Sequence, residues 1–347
     1  MRRRDLLAGL AAFPLLGAAG AVDTAADMEG IWRGAVADPR HGRTDALLVV
    51  QDGETLLERY GADHGPRTRH VSWSIAKSVT HALVGVAVAR RELDPDAPVS
   101  VIPDNRAVTL RHLLTLTDGL PWDEDRKPLA VASDASRLLF GPGRFDVARY
   151  AAGLPGERRS PGTTWNYSTG AYHLAAGELT ARLTPATDPD RRRATVRRFA
   201  EMNLFGPLGM TDTMMEFDPA GTFYGGSLMW TTARDLAALG RLYLDDGRHG
   251  DARLLPDGWT RFARSPTVEP TYGAGWWLEG APGPGAGPSL LGGAPADAFH
   301  ARGLDGQVLM VVPSRKLIIV RLGYTPDMGI GWPAIAGCLR RIITLAS

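Results

Sequence analysis

The stretch Val71-Ser72-Trp73-Ser74-Ile75-Ala76-Lys77-Ser78-Val79-Thr80 holds a serine and a lysine three positions apart, Ser74 and Lys77. On a helix this spacing puts both side chains on one face, one turn apart. A serine hydroxyl is a weak nucleophile at neutral pH and needs a nearby base. Lysine can act as that base because its pKa falls when it loses water, whereas arginine stays protonated. The pair therefore predicts a nucleophilic serine with a lysine partner.

The residues that follow Ser74 predict a buried helix. No Asp, Glu or Arg occurs between Ser74 and Arg90, so this helix is apolar almost all round. Lys77 lies in its first turn and is one of only three lysines in a chain with 39 basic residues. A lysine retained in such a helix favours a chemical role. The structural alternative is a serine that caps the helix beside a lysine whose ammonium group reaches solvent.

Residues 1–21 have the pattern of a signal peptide. Three arginines follow Met1, and an apolar run of about 16 residues ends at Ala19-Gly20-Ala21, a small-residue cleavage pattern. The Arg3-Arg4-x-Leu6-Leu7 arrangement resembles a twin-arginine signal, which predicts export to the periplasm or the extracellular space. The run is shorter than the ~20 residues that span a bilayer, so no stable membrane span is expected after cleavage. The alternative is an uncleaved membrane anchor.

Composition favours one large domain that needs no disulfide. The formal net charge is +1, and no basic run is interleaved with aromatic residues, so nucleic acid is not an expected partner. Cys338 is the only cysteine, which excludes an intrachain disulfide. With 44% hydrophobic residues the chain can build a sizeable core. We expect an N-terminal extension over 22–44 and a single domain over 45–347.

Strand patterns at the two ends of the chain predict the fold class. Residues 46–51 and 55–60 flank an Asp52-Gly53 turn and form one predicted β-hairpin. Residues 307–312 and 317–322 form a second one. Helical patterns fill the region between the hairpins. The prediction is an α+β fold, with an antiparallel sheet from about 45–70 and 270–347 and an inserted, mainly helical region over about 71–269.

A tyrosine near a helix start is the candidate partner for the serine and lysine. Tyr167 ends a loop just before a predicted helix, and a phenol there could pass a proton between nucleophile and leaving group beside an ammonium group. Taken alone, Tyr167 would be a surface turn residue. The chain has no H-E-x-x-H, C-x-x-C, G-x-S-x-G or phosphate-binding loop, which argues against a zinc hydrolase, an α/β-hydrolase or a nucleotide enzyme.

Together these motifs resemble the serine β-lactamase and penicillin-binding protein superfamily. The similar branch contains class C β-lactamases, D-alanyl-D-alanine carboxypeptidases, family VIII esterases and 6-aminohexanoate-dimer hydrolase. The resemblance covers about residues 45–345 and rests on Ser74-Ile75-Ala76-Lys77, Leu110-Arg111-His112-Leu113-Leu114-Thr115-Leu116-Thr117-Asp118-Gly119-Leu120, Pro161-Gly162 before Tyr167, Leu204-Phe205-Gly206-Pro207-Leu208-Gly209-Met210, and Tyr272-Gly273-Ala274-Gly275-Trp276-Trp277. It implies that Ser74 is the family nucleophile, Lys77 its lysine partner and Tyr167 the tyrosine of the Y-x-N motif.

Two departures from the family pattern bear on the substrate. The Y-x-N motif reads Tyr167-Ser168-Thr169, so Thr169 replaces the amide that contacts the acylamino group of a β-lactam in class C enzymes. The K-T-G strand motif is absent, and the resemblance assigns His300 to the lysine position and Gly303 to the neighbourhood of the oxyanion-hole N–H. An offset of one residue would move both assignments. At these two positions the chain resembles the proteins of the esterase and aminohexanoate-oligomer branch.

We therefore predict an exported serine hydrolase that cleaves a small-molecule ester or amide through an acyl-enzyme on Ser74. Lys77 and Tyr167 would both transfer protons during the reaction. Backbone N–H groups of Ser74 and of the strand near Gly303 would hold the oxyanion. Water would complete turnover, so no cofactor or metal is expected. The alternative enzyme is a β-lactamase or D-alanyl-D-alanine carboxypeptidase. The alternative from another class is a catalytically silent penicillin-binding-like module that binds peptidoglycan or a protein partner.

Overall fold

A computed structural model describes residues 24–102, 107–124, 133–280 and 291–346 of the chain. The predicted signal peptide over 1–21 lies outside these residues. Among the helices of the described ranges, none combines the length and the apolar character needed to cross a lipid bilayer.

Both ends of the chain contribute to one six-stranded antiparallel sheet, as the sequence predicts. The strands of the described residues are β1 (Arg43–Gln51), β2 (Glu54–Tyr60), β3 (His70–Val71), β4 (Met214–Met215), β5 (Met229–Thr231), β6 (Arg248–His249), β7 (Ala252–Arg253), β8 (Trp277–Leu278), β9 (Phe299–Gly303), β10 (Gln307–Val312) and β11 (Leu317–Tyr324). The order across the main sheet is β2-β1-β11-β10-β9-β8. Strands β3, β5 and β4 form a small second sheet, and β6 pairs with β7.

Local turn chemistry explains why both predicted hairpins form. Asp52 and Gly53 adopt φ values of +48° and +89°, the left-handed pair that a tight turn between antiparallel strands needs. In the second hairpin Lys316 adopts a φ of +47° just before β11. Strands β1 and β11 then pair along their length, so the first and second hairpins join in one sheet.

The helices lie between the two hairpins, except for one at each end. Those of the described residues are α1 (Thr24–Ala37), α2 (Ala76–Ala89), α3 (Leu110–Leu114), α4 (Asp134–Leu139), α5 (Val147–Ala152), α6 (Thr169–Leu183), α7 (Pro189–Ala200), α8 (Gly206–Leu208), α9 (Ala233–Leu244), α10 (Trp259–Ala263) and α11 (Met328–Leu345). The fold is the β-lactamase/transpeptidase-like α+β fold that the sequence predicts.

The two faces of the main sheet bury different sets of residues. On one face, side chains such as Met310 and Ile319 pack with α1 and α11 in one apolar core. On the other face, Leu309 and Val320 belong to a larger core shared with the helical region. Met28 of α1 is fully buried in the first core. The segment predicted as an N-terminal extension therefore contributes a helix that covers the sheet.

The chain enters its most buried helix through a short 3-10 turn. Strand β3 leads into that turn at Trp73–Ile75, and α2 follows directly. Every residue of α2 from Ala76 to Ala87 is buried, which agrees with the absence of charged residues other than Lys77 in this stretch. Ser74 thus lies at the junction of the main sheet and the helical region, where β9 contacts the 3-10 turn.

Candidate active site

Ser74 lies in a turn whose backbone is held in an unusual conformation. Trp73, the residue before it, has a φ of +46°, a left-handed value that bulky side chains rarely adopt. The turn is anchored because the N–H of Ser72 donates to the carbonyl of Met229 at 2.7 Å. Such strain persists only where surrounding structure enforces it, and it is often found at functional sites. The half-buried Ser74 hydroxyl is presented at this turn.

Lys77 is buried and fully hydrogen-bonded. Its ammonium group donates to Ser74 Oγ at 2.9 Å, to Thr169 Oγ1 at 3.0 Å and to the carbonyl of Gly226 at 2.8 Å. Three acceptors match the three donors of an ammonium group. Burial lowers the pKa of Lys77 to about 8, against the opposing charge of Glu124. A neutral amine in hydrogen-bond contact with Ser74 Oγ is therefore accessible near physiological pH.

Tyr167 lies over the same ammonium group. The Nζ atom of Lys77 is 4.9 Å from the centre of the Tyr167 ring, within range of a cation–π contact. On its other side the phenol ring stacks on Trp277, with ring centres 5.5 Å apart. Trp165 and Tyr272 complete this aromatic wall, each with its ring centre 6.2 Å from that of Tyr167. The structure thus brings Ser74, Lys77 and Tyr167 together from distant parts of the sequence.

Glu124 is a component of the site that sequence reasoning missed. Its carboxylate accepts hydrogen bonds from Thr169 Oγ1 at 2.5 Å, from the Thr169 N–H at 2.8 Å and from Trp122 Nε1 at 2.6 Å. Because Thr169 Oγ1 also accepts from Lys77, a continuous path of polar atoms runs from Ser74 through Lys77 and Thr169 to Glu124. Glu124 lies 45 residues before Thr169, and no motif marks it in the sequence.

Thr169, predicted at a substrate-contacting position, is buried between Lys77 and Glu124. The residue is only 2% exposed, and its hydroxyl is engaged by both Lys77 and Glu124. Thr169 begins α6, whose first turn is capped by the side chain of Ser168. Its hydroxyl therefore connects the amine of Lys77 with the carboxylate of Glu124.

His300, predicted at the lysine position of the K-T-G motif, is enclosed within the protein. It pairs with Met310 across β9 and β10, so its side chain lies on the sheet face that packs with α11. There it is fully buried, 3.5 Å from a Glu279 carboxylate oxygen and stacked with Trp332. Burial holds the pKa of His300 well below its usual range, so the ring is neutral. A neutral, enclosed imidazole does not replace the exposed cation of a K-T-G motif.

Gly303, at the end of β9, lies against the serine turn. A Cβ atom at this position would be 2.3 Å from the carbonyl oxygen of Ser72 and 3.1 Å from Trp73 Cβ. Only glycine permits so close an approach of β9 to the turn. The end of β9 therefore lies directly against the turn that carries Ser74.

Arg302, the residue before Gly303, supplies a cation beside the aromatic wall. Its guanidinium group lies 4.3 Å from the ring centre of Trp277 and 4.6 Å from that of Trp332. Burial lowers the pKa of Arg302, while Tyr167 and Glu279 oppose that effect. An arginine stays protonated under such conditions. The cation of β9 beside the aromatic wall is therefore Arg302 and not His300.

Comparisons with known proteins place the chain among hydrolases. Residues 32–326 match the family described as Beta-lactamase. The chain is 25% identical over 313 residues to 6-aminohexanoate-dimer hydrolase of Paenarthrobacter ureafaciens, covering 82% of this chain and 73% of that protein. A crystal structure of a family VIII carboxylesterase is similar with a TM-score of 0.65 and 14% identity, covering 91% of this chain and 98% of that chain. A beta-lactamase structure from Mycobacterium bovis is similar with a TM-score of 0.59 and 19% identity, covering 86% and 94% respectively.

Proposed function

This chain belongs to the Beta-lactamase family of serine hydrolases, and on that premise we propose that it cleaves an ester or an amide through an acyl-enzyme on Ser74. The observation that carries the proposal is the 2.9 Å hydrogen bond between Ser74 Oγ and the buried Lys77 amine. Burial lowers the pKa of that amine to about 8, which suits a base that works near neutral pH. A silent binding module would not need a buried lysine in this position.

Each step of the proposed reaction uses one of the groups around Ser74. Lys77 in its neutral form accepts the proton of Ser74 as the hydroxyl oxygen attacks the carbonyl carbon. The N–H of Ser74 and an N–H at the end of β9 near Gly303 stabilise the oxyanion. Tyr167, which lies over the Lys77 ammonium group, passes a proton to the leaving group. A water molecule then attacks the acyl-enzyme and releases the acid.

Short acyl esters or linear amides are expected to be better substrates than penicillins or cephalosporins. The site has a buried Thr169 in place of the Y-x-N amide and a buried His300 in place of the K-T-G lysine. A substrate whose acylamino and carboxylate groups meet no polar partner in the site loses their hydrogen bonds with water without replacement, which lowers its kcat/KM. The measurement is kcat/KM for p-nitrophenyl butyrate, a linear amide and a chromogenic cephalosporin on one preparation.

A higher kcat/KM for the cephalosporin would reverse this order of substrates. It would support a β-lactamase in which Arg302 binds the antibiotic carboxylate. No turnover of any of the three compounds, together with no covalent labelling of Ser74, would favour the binding-module alternative.

Glu124→Gln is expected to move the acid limb of the kcat/KM pH profile to lower pH. The negative charge of Glu124 raises the pKa of Lys77 against the larger effect of burial. Removing that charge lowers the pKa of the lysine, so its neutral form appears at lower pH. The maximal rate also falls, because a weaker base takes the serine proton less readily.

Glu92→Gln is the matched control for this experiment. Glu92 follows the far end of α2 and forms an ion pair with Arg90 at 2.9 Å. Its loss changes the net charge by the same amount without changing the surroundings of Lys77. An unchanged pH profile in Glu124→Gln would contradict the electrostatic role given to that carboxylate.

We further propose export through the segment 1–21, which rests on the sequence pattern alone. Cell fractionation of the wild type and of an Arg3→Lys, Arg4→Lys double variant tests it. Equal cytoplasmic retention of both forms would contradict export.

A further inference from the structure

Two histidines and an aspartate form a compact cluster outside the serine network. Asp45 Oδ2 lies 3.3 Å from His70 Nε2 and 3.6 Å from His64 Nε2. Ligand atoms of these three residues all lie within 4.8 Å of one another. None of the three residues has a role in the proposed reaction.

The backbone around Asp45 turns its side chain toward the histidines. The pairing register of β1 with β11 shifts between Thr44 and Ala46, which makes Asp45 the extra residue of a β-bulge. Bulges of this kind re-aim a side chain and are common beside functional sites. Asp45 is 1% exposed, and Arg43 holds its carboxylate through two hydrogen bonds, at 2.6 and 3.1 Å. The acidic ligand is therefore fixed before any ion arrives.

Two consecutive turns hold His64 over the aspartate. The N–H of His64 donates to the Gly61 carbonyl at 3.1 Å, and the Gly61 N–H donates to the Asp45 carbonyl at 2.9 Å. The next turn is closed by Thr68, whose N–H donates to the carbonyl of Gly65 at 2.9 Å. His70 then begins β3 and pairs with Thr231. All three side chains are thus attached to defined backbone.

Each histidine ring directs its Nε2 atom toward the carboxylate of Asp45. His64 Nδ1 lies 2.7 Å from the Ala62 carbonyl oxygen, which makes it the protonated nitrogen and leaves the lone pair on Nε2. Metal-binding histidines commonly make this type of second hydrogen bond. Both ring nitrogens of His70 are buried, and its Nε2 atom lies 3.3 Å from Asp45 Oδ2.

Two of the three separations between ligand atoms match those around one metal ion. In a tetrahedral zinc site with bonds of about 2.0 to 2.1 Å, neighbouring ligand atoms are about 3.3 to 3.4 Å apart. The separations from Asp45 Oδ2 are 3.3 and 3.6 Å, and the ligand atoms of His64 and His70 lie within 4.8 Å of each other. Imidazole ligands favour zinc-type ions over magnesium or calcium. We propose that Asp45, His64 and His70 bind one divalent cation of the zinc type, with water in the fourth position.

Such a site joins β1 to the strand that leads into the catalytic turn. His70 lies four residues before Ser74, and β3 is only two residues long. A ligand that binds the folded chain and not the unfolded chain raises the melting temperature. The expected role of the ion is therefore to stabilise β3, the strand that leads into the turn of Ser74. The sequence did not predict this metal site, because the spacing of residues 45, 64 and 70 matches no common metal-binding motif.

The test measures Zn²⁺ and Co²⁺ binding to purified protein that carries no histidine tag, after treatment with a chelator and its removal. We expect one Zn²⁺ per chain, a rise in melting temperature with Zn²⁺, and the strong visible absorption of tetrahedral Co²⁺. His64→Gln, a change in a partly exposed loop residue, is expected to weaken binding at least about 100-fold and to abolish the Co²⁺ bands. Asp45→Asn should act in the same direction.

His249→Gln is the control, because His249 is exposed and lies outside the cluster. It should bind Zn²⁺ as the wild type does, and so should Ser74→Ala, which separates this inference from the proposed reaction. Absence of saturable Zn²⁺ binding in the folded wild type would overturn the proposal. Equal affinity in the wild type and His64→Gln would also overturn it, since the ion would then bind elsewhere.

Discussion

Ser74→Ala is expected to lower hydrolysis by at least about 10⁴-fold while the chain stays folded. The substitution removes the attacking atom of the proposed reaction, and the other groups cannot replace it. Its structural cost is small, because Ser74 is half-buried and Lys77 keeps its contacts with Thr169 and Gly226. The free energy of unfolding should change by no more than about 2 kcal/mol. Initial rates and thermal unfolding of the same preparation measure both effects.

A fluorophosphonate probe gives an independent readout of the nucleophile. It should label the wild type at Ser74 and leave Ser74→Ala unlabelled. Ser78→Ala is the matched control, because Ser78 lies four residues after Ser74, in the first turn of α2, and donates to the Gly275 carbonyl at 2.6 Å. That variant should still be labelled at Ser74. Labelling at another serine, or wild-type turnover in Ser74→Ala, would show that the nucleophile is elsewhere.

The sequence predicts the fold well where the signals are local. The Asp52-Gly53 turn and the strands beside it form a hairpin through short-range contacts, and the observed left-handed φ values follow from those two residue types. The burial of Lys77 follows from the apolar residues around it on α2. Its pKa near 8 is a further consequence of the same burial. These features depend on residues that are close in sequence.

The parts that sequence reasoning missed depend on distant contacts. His300 and Arg302 lie two residues apart on β9, so their side chains are on the same face of the sheet. The sequence alone does not show that Arg302, and not His300, contacts Trp277 of the aromatic wall. Glu124 reaches the site only because the chain folds back to the start of α6, where Thr169 accepts from Lys77. A contact across 45 residues leaves no local pattern.

Lys77→Arg is expected to be as inactive as Lys77→Ala, each losing about 10³-fold in kcat/KM. A guanidinium group keeps its proton and so cannot accept one from Ser74. The guanidinium group is also planar and larger than an ammonium group. It would not fit at Lys77, which is 1% exposed and has three hydrogen-bond acceptors 2.8 to 3.0 Å from its Nζ atom. The chain uses arginine for nearly all its other cations, so charge alone does not explain this lysine. The measurement is kcat/KM across pH for both variants and the wild type.

Lys316→Arg is the matched control for the exchange of lysine for arginine. Lys316 is exposed and forms an ion pair with Asp52 at 3.0 Å, so its replacement should leave kcat/KM unchanged. Lys77→Met keeps the length of the side chain without its charge, and it tests whether the amine serves the fold or the reaction. We expect the methionine variant to remain folded and to be inactive. Near wild-type turnover in Lys77→Arg would mean that a fixed positive charge is sufficient, and Lys77 would then be a structural cation beside a different base.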